Sequence, residues 1–574
     1  MSQIDTLRRA FWHLRKGGVP QLRLWYGRHA AATGVTAIHA PSIQAAGRSV
    51  KAAAAPVFNA FDYPGLDPRR ADLRVGVILD DFSFSAFRYE WDQVELSRSA
   101  WRQQLDGLDL VFVESAWNGN HGQWKYQLTG TSGVKDDFKD LLAACRDAGI
   151  PTVFWNKEDP VHFDDFIEAA TMFDSVFTTD ANRIDSYRET LGHDRVGVLP
   201  FAAQPAIHHP VRPVHGFHKR GVAFGGMYFA HKYPERRAQM DFLLGGAADV
   251  SASTKGLSFE IFSRQLGGEL QYQFPEGLSK YVVGGLSYDQ MLTAYRAYKV
   301  FLNVNSVVDS PSMCARRIFE ITASGTPVVS APSEAIGEFF ASDEVFVADD
   351  RAQATAQIKL LGLNEELRSR TVHKAQRKIW SQHTYAHRVE SVLAVAAPAR
   401  VRPVRLPSVS AMVSTIRPQQ LERVFETVAR QRGVDTELVL LTHGFEVPAR
   451  QIRKLSRRHG LSNVVHLTAG RDVSLGECLN SCVSAASGEV LTKMDDDDFY
   501  GAEYLGDLLH AMKYSRADVV GKQAHYMYFA SRDLTVLRTG HMEHRFTRMV
   551  MGPTITARAE VLRVSDGLCE GRCS

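Results

Sequence analysis

LRVGVIL (73–79), LDLVFVES (108–115), IPTVFW (150–155), DSVFTTD (174–180) and RVGVLPF (195–201) follow one another through the first part of the chain. Each is a near-continuous run of Val, Ile, Leu and Phe, and each lies a few tens of residues from the next, with helical patterning between. A strand apolar on both faces has to be covered on both faces. Runs of this kind alternating with helices therefore predict a parallel sheet with helices on either side, and the region reads as a doubly wound α/β domain.

The same pattern repeats in RGVAFGGMYF (220–229), LSFEIFS (257–263), YKVFLNVNS (298–306), TPVVSAP (326–332) and EVFVAD (344–349), with helices predicted over 287–297, 313–324 and, as one long element, 364–395. The proline-rich stretch QPAIHHPVRPVHGFHK (204–219) reads as a linker, because prolines withhold donors from helix and sheet alike. Its histidines, His208, His209, His215 and His218, fit a solvated loop better than any metal spacing. A second linker, AVAAPARVRPVRLPS (394–408), leads to a third unit built on SVSAMVST (408–415), ELVLLTH (437–443), VVHLT (464–468) and EVLTKMDDDDFYG (489–501). The expected division is a helical extension (1–70), two Rossmann-like domains (71–210 and 211–397), a linker (398–407) and a further α/β domain (408–574).

A chain of 574 residues has room for three or four such units. Lys plus Arg number 67 and Asp plus Glu 64, a balance that argues against nucleic-acid binding through bulk phosphate attraction. No apolar run is long enough to span a bilayer and the start carries no secretory core, so a cytoplasmic location is expected. The basic amphipathic segment Leu7 to Lys16 reads either as a surface helix or as a peripheral contact with the inner face of the membrane. Six cysteines without a C-x-x-C pair read as buried thiols rather than zinc ligands.

Candidate chemistry sits where strands end. Asp495-Asp496-Asp497-Asp498 directly follows a strand, and four adjacent carboxylates repel one another unless a cation compensates them. After RGVAFGG, Gly225 and Gly226 would let a diphosphate approach backbone N–H groups, with His231, Lys232, Arg236 and Arg237 close by and Arg316 and Arg317 across the cleft. In the first unit Glu158 or Asp159 is the expected acceptor-side acid/base and His162 its orienting partner. Asp80 and Asp81, ending the first strand, suit a helix cap and an acceptor contact about equally.

The stretch SLGECLNSCVSAASGEVLTKMDDDDFYG resembles the family-two glycosyltransferases of the GT-A fold, through Asn480, Ala486, Gly488, Glu489 and the aspartates. The resemblance implies that Asp495 and Asp497 form a D-x-D pair holding nucleotide-sugar and a divalent metal, Mg or Mn, with Asp498 beside them. It also implies that Ser414, Thr415 and Arg417 sit at the nucleotide-binding turn. Thr442 and His443 stand where that family carries acidic residues. Only Asp566 and Glu570 are late candidates for a catalytic carboxylate, so this domain is expected to be incomplete. Residues 72–395, through PTVFWNKEDPVHF, LPFAAQP and Arg316-Arg317-x-Phe319-Glu320-x-x-Ala323-x-Gly325-x-Pro327, resemble GT-B glycosyltransferases of the CgeB and family-one type. By that resemblance Glu320 takes the nucleotide ribose. Ser312 stands where many retaining members have a further glutamate.

Together these imply a glycosyltransferase of the hexosyl type, with one donor site or two, moving sugar from a nucleotide-diphospho-sugar to a glycan or lipid-linked acceptor in cell-surface polysaccharide synthesis. A GT-A-like tail that only binds or docks is the alternative, and a non-catalytic membrane-face scaffold is a third reading.

Overall fold

A computed structural model describes residues 56–130 and 133–564. The segment Leu7–Lys16 and the residues Asp566 and Glu570 lie outside the described residues.

The first five apolar runs form β1 (Arg70–Ile78), β3 (Leu110–Glu114), β4 (Thr152–Asn156), β5 (Ser175–Thr178) and β6 (Val196–Val198) of one all-parallel sheet, and a sixth strand that the sequence reading did not include, β2 (Trp91–Glu95), completes it in the order β2-β1-β3-β4-β5-β6. β3, β4 and β5 are buried along their whole length, as runs covered on both faces should be. The second sheet is also all-parallel: β7 (Arg220–Gly225), β8 (Phe259–Phe262), β9 (Val282–Gly284), β10 (Tyr298–Asn303), β11 (Val328–Ser330) and β12 (Phe346–Val347). Its order, β9-β8-β7-β10-β11-β12, is that of a dinucleotide-binding Rossmann sheet. The third sheet is mixed. β13 (Val409–Thr415), β14 (Thr436–His443), β15 (Val464–Ala469) and β16 (Val490–Lys493) are parallel, while β20 (Thr556–Arg558) runs antiparallel between β16 and β17 (Val519–Val520). A hairpin of β18 (His525–Phe529) and β19 (Leu534–Arg538) stands apart from it. The expected architecture, two Rossmann-like units followed by a GT-A-like α/β unit, is the one observed.

The structure departs from the sequence reading in three places. The helix expected over 364–395 is two helices, Glu365–Gln382 and Tyr385–Ala396. Thr384 breaks it by pairing with Ala203, just before the first linker, and capping the second helix together with His387. That second helix crosses back onto the first sheet, where Tyr385 meets Phe87 edge-on at 4.8 Å and Arg388 donates to the carbonyls of Pro200 (2.7 Å) and Phe201 (2.9 Å). Secondly, the linker 204–219 is solvated only in part: residues 213–216, His215 among them, are exposed, but Gln204 to His208 are mostly buried. His208 is fully buried, its Nδ1 accepting from the Gln204 amide (3.0 Å) and its Nε2 3.0 Å from the Tyr288 hydroxyl, and burial holds its pKa near 4. The chain must pass between two packed units, and Phe201, Ile207 and His208 fill that seam. Thirdly, residues 56–69 form no helix. They lie along the second unit, where Phe58 packs on Phe262 and Tyr298 and the Tyr63 hydroxyl donates to Asp289 (2.6 Å).

One apolar cluster runs without a break from Val75 and Trp155 of the first unit to Phe301 and Ile318 of the second. The third unit has its own clusters on either side of its sheet. Asp507 ties it to the second unit, accepting from Arg377 (Nε 2.8 Å, Nη2 2.7 Å) and lying 3.0 Å from His373 Nε2. Among the described residues no helix is long and apolar enough to cross a membrane.

Candidate functional site

In an open α/β sheet the natural ligand crevice lies beyond the carboxyl ends of the strands, where the strand order reverses. Each of the three sheets has one such point: between β1 and β3, between β7 and β10, and between β13 and β16. The sequence-predicted residues gather at all three.

At the first, Asp80 follows β1, Glu114 ends β3 and Lys157 follows β4. Lys157 Nζ is 2.8 Å from Asp80 Oδ2 and 2.8 Å from Glu114 Oε1, with the Lys157 side chain 1% and that of Glu114 0% exposed. Asp80 also accepts from the amides of Asn118 (3.2 Å) and Gly119 (3.0 Å). Burial pushes Glu114 up against the pull of Lys157, and its Oε2 has no partner among the described residues. Glu158, one residue on, is half-buried at the surface of this cluster. Asp159 is turned away from it and fully buried, accepting from Thr178 Oγ1 (2.6 Å), the Tyr187 hydroxyl (2.9 Å) and Asn156 Nδ2 (2.7 Å). Burial raises its pKa to about 7 despite those donors. His162 pairs with Asp165 (2.8 Å) and packs edge-on against Trp117, so it orients neither Glu158 nor Asp159. Asp81 points outward, 3.4 Å from His121. Glu114 and Lys157 had no assigned role in the sequence reading. Their signal was present as charged residues closing strands that are otherwise wholly apolar.

At the second point a cavity of about 190 Å³ is lined by Arg236, Arg316 and Arg317 with Asn303, Asn305 and Ser306. Arg317 donates to the Gly225 carbonyl, holding the glycine turn. At Gly226 a side chain would meet the Phe224 ring at 2.8 Å, which keeps that turn tight. Arg236 donates to Ser306 Oγ (2.9 Å), but its Nε has no partner among the described residues. Burial, and then the neighbouring Arg317, draw Arg236 down to about 10. Arg237 instead braces its own loop through the carbonyls of Phe229 (3.1 Å) and Lys232 (2.6 Å), while Lys232 is exposed.

Glu320 is not open to a ribose. It is 1% exposed and shared among Arg316, the hydroxyls of Tyr288 (2.8 Å) and Tyr295 (3.1 Å), and His208 at 3.6 Å. Burial opposes its charge, but Arg316 and His208 outweigh burial and hold its pKa below the usual range. Phe82 from the first unit lies 4.1 Å from the Arg316 guanidinium and 4.4 Å from Lys157 Nζ. The first two sites therefore face each other across one aromatic ring.

At the third point the aspartates meet β13. Arg417 pairs with Asp496 (Nε 3.0 Å) and with Asp497 (Nη1 2.8 Å), Thr415 donates to Asp496, and Lys493 pairs with Asp495. Arg423 donates to the carbonyls of Asp497 (3.2 Å) and Asp498 (3.0 Å). The Tyr500 hydroxyl accepts the Asp495 amide (2.8 Å) and donates to the Pro553 carbonyl (2.9 Å), fixing the turn. Compensation that the sequence reading sought in a bound cation thus comes largely from Arg417 and Lys493. Asp498 makes no ion pair among the described residues, and burial, then Asp495 and Asp497, raise its pKa against a weaker pull from Lys493. Carboxylate oxygens are the donors Mg and Mn prefer, yet among the described residues no three His, Cys, Asp or Glu side chains converge as metal ligands. As arranged, Asp495, Asp497 and Asp498 do not form a ready metal site. Ser414 neighbours the Cys478 thiol. Thr442 lies 3.1 Å from His466, and His443 Nε2 is buried without a partner among the described residues.

Residues 238–394 match the family model described as glycosyl transferase-like, and residues 411–557 match that of glycosyl transferase family 2. Each match covers about a quarter of the chain, which is similar in these two stretches to a glycosyl transferase-like region and to glycosyl transferase family 2. Arg316, Arg317 and Glu320 fall in the first and the aspartates in the second. No curated protein matches the sequence. Similar solved structures include mannosyltransferase PcManGT from Pyrobaculum calidifontis in complex with GDP-Man and Mn2+, at 19% identity over 29% of this chain and 48% of that one, TM-score 0.22. S. aureus TarS is 19% identical over 28% of this chain and 49% of that one, TM-score 0.21. A mutant of S. aureus TarM in complex with fondaparinux, α-GlcNAc-glycerol and UDP is 13% identical over 54% of each chain, TM-score 0.31. This chain spans about half the length of each of these structures.

Proposed function

We propose that the protein transfers a sugar, of hexose type, from a nucleotide-diphospho-sugar to a glycan or lipid-linked acceptor in cell-surface polysaccharide synthesis, in the cytoplasm or at the inner face of the membrane. Residues 71–210 serve as the acceptor side and 211–397 as the donor side. The observation that carries the reading is the cavity between β7 and β10, where Arg236 and Arg317 converge and neither makes an ion pair among the described residues. A diphosphate lying against them and the Gly225–Gly226 turn supplies the missing negative charge. The same guanidiniums then stabilise the charge that builds on the leaving nucleoside diphosphate.

Arg316, neutralised by Glu320, positions the cavity wall. Glu158, whose carboxyl accepts none of the described hydrogen bonds, is assigned the acceptor-side base. Asp159 anchors the loop that presents it, and the His162 backbone amide, not its ring, closes that loop on the Glu158 carbonyl (3.1 Å). Isothermal titration of UDP- and GDP-sugars into wild type, Arg236→Ala and Arg317→Ala tests the reading. Each substitution removes one or two charge-assisted hydrogen bonds, so affinity should fall by about 10- to 100-fold. Unchanged affinity for every binding donor would refute it.

A second reading is favoured by Arg417 and Lys493 already occupying the tetrad: the family 2 domain binds nucleotide-sugar or glycan without turnover. If it binds Mg or Mn through Asp495, Asp497 and Asp498, the metal has to displace those side chains. Thermal shift of the full chain with nucleotide sugars, with and without Mn2+, decides between them. A metal-dependent shift lost in Asp495→Ala/Asp497→Ala supports two donor sites. A shift that responds only to Arg236→Ala/Arg317→Ala leaves one.

A further inference from the structure

Exposed apolar side chains concentrate on one element, the hairpin of β18 and β19. Among the described residues 23 large apolar side chains are exposed, and seven of them fall between Tyr526 and Met549, a stretch that holds fewer than one in twenty of those residues. The ladder pairs Tyr526 with Leu537, Tyr528 with Thr535 and Phe529 with Leu534. Side chains alternate across a strand, so the first two pairs lie on one face of the ribbon and the third on the other. Tyr526 and Tyr528 are 65% and 60% exposed, and Phe529 and Leu534 are 43% and 46% exposed. Both faces are therefore bare toward the tip, and residues 528–535 are exposed without exception. A two-stranded ribbon of this kind gains little stability from water alone.

The root of the hairpin is held in place. Thr547 Oγ1 donates to Gln523 Oε1 (2.9 Å), and the segment after β19 is clamped to the first linker. There the Arg212 amide donates to the His544 carbonyl (2.8 Å), the Arg212 side chain pairs with Glu543 (2.8 Å), and Arg545 donates to the Pro213 carbonyl (3.0 Å). Between His525 and Met549 the carboxylates are Glu543, already paired, and Asp533, which accepts from the Tyr528 hydroxyl (3.0 Å). Against that single unpaired carboxylate stand Arg532, Arg538 and Arg548, all exposed and without an ion pair among the described residues. These guanidiniums are solvated and require nothing by themselves. The bare apolar surface is what requires a cover, and the surplus of arginine sets the sign of the surface that supplies it.

We propose that this hairpin docks the protein on an anionic lipid surface, with Tyr528, Phe529 and Leu534 at the headgroup–acyl boundary and Arg532, Arg538 and Arg548 at the lipid phosphates. A protein partner or a second copy lying on the ribbon covers one face and leaves the other wet, whereas a bilayer interface receives both faces of the tip at once. Aromatic rings settle at the headgroup level, and an arginine reaches the phosphates while its stem stays in the apolar zone. Burial of apolar area and attraction to anionic headgroups then add. His525, at the root of β18, lies close enough to Asp498 for its charge to act on that carboxyl, so docking brings the aspartate end of the third sheet near the lipid. The inference deepens the proposed location at the inner face of the membrane and rests on it, while the donor chemistry does not enter.

The test is co-sedimentation of the full chain with vesicles of phosphatidylcholine alone and of equimolar phosphatidylcholine and phosphatidylglycerol. Wild type should be retained by the anionic vesicles and far less by the neutral ones. Tyr528→Ser/Phe529→Ser/Leu534→Ser should weaken retention by about tenfold or more, and Arg532→Gln/Arg538→Gln/Arg548→Gln by about tenfold at low salt only. Matching thermal unfolding midpoints without vesicles establish that the variants fold. If the serine variant does not, Tyr528→Trp replaces it: its emission, less that of wild type, should shift to the blue and be quenched by brominated acyl chains in anionic vesicles. No nucleotide sugar is present, so failure of the transfer reading leaves these outcomes untouched. Absence of retention overturns the proposal together with the inner-face location. Retention indifferent to both sets of hairpin variants, or a Tyr528→Trp emission that neither shifts nor is quenched, overturns the role of the hairpin and leaves the location standing. A dimer in sedimentation velocity that the serine variant abolishes, without retention on vesicles, assigns the face to a second copy and overturns lipid docking.

Discussion

Replacing Lys157 by Met should unfold the first unit's strand-end network from within. The ammonium is 1% exposed and is shared by Asp80 and Glu114, the latter fully buried with one oxygen already unpartnered. Methionine matches the stem but leaves Glu114 as an uncompensated interior charge, a loss of about 3–5 kcal/mol. Hydrogen exchange of peptides covering β3 and β4 reads this locally. Opening should become more frequent by roughly two to three and a half orders of magnitude at neutral pH.

The sign with pH is fixed. Burial sets Glu114 above its unfolded pKa, so the penalty for its charge grows as pH rises and vanishes as pH falls and the carboxyl takes a proton. The deficit of Lys157→Met should therefore shrink in acid, and Glu114→Gln in the same chain should restore most of the protection. A loss below about 1 kcal/mol, the worth of a solvated pair, or a deficit independent of pH and of Glu114→Gln, would refute the network's role.

Asp507 is held well below its usual pKa by hydrogen bonds from Arg377 and His373, which overcome its burial. Its contribution is present above pH about 4 and lost as pH falls further, so limited proteolysis of residues 398–408 should accelerate in wild type only in strong acid, and in Asp507→Asn already at pH 7. Asp159, raised from 3.8 to about 7, has the opposite sign: wild type should lose thermal stability as pH rises between those values, and Asp159→Asn should flatten that dependence. Arg417→Ala releases Asp496 and Asp497, and Mn2+ titration followed by electron paramagnetic resonance should show affinity rising by up to about tenfold, one ion pair's worth. No gain would mean that Arg417 does not compete with a metal.

Strands such as VFVES and TVFW were legible because a strand buried on both faces carries an unbroken apolar signature. Some short strands were not. The edge strands β2, β9 and β17 are two to five residues long and partly exposed, and the inner β20 has three residues, too few to impose a period. The locations of the sites were legible too, since glycines, arginines and aspartates stand directly after strong strands. Their internal wiring was not. Arg417 reaches Asp496 across 79 residues of sequence and Glu320 is claimed by Tyr288 and His208, partnerships created only when distant segments pack. The break at Thr384 was invisible for the same reason, because its cause is the backbone pairing with Ala203.

The return of helix Tyr385–Ala396 to the first sheet has a consequence for how this chain is made. Tyr385, Val389, Val392 and Leu393 complete a core whose other members were synthesised some 200 residues or more earlier, at Val75, Phe87 and Trp155. A ribosome that has finished the first Rossmann-like sheet has therefore not yet delivered its cover. The nascent chain must carry that apolar face bare, or under a chaperone, through the whole synthesis of the second unit, and the two units close together in one late step rather than one after the other.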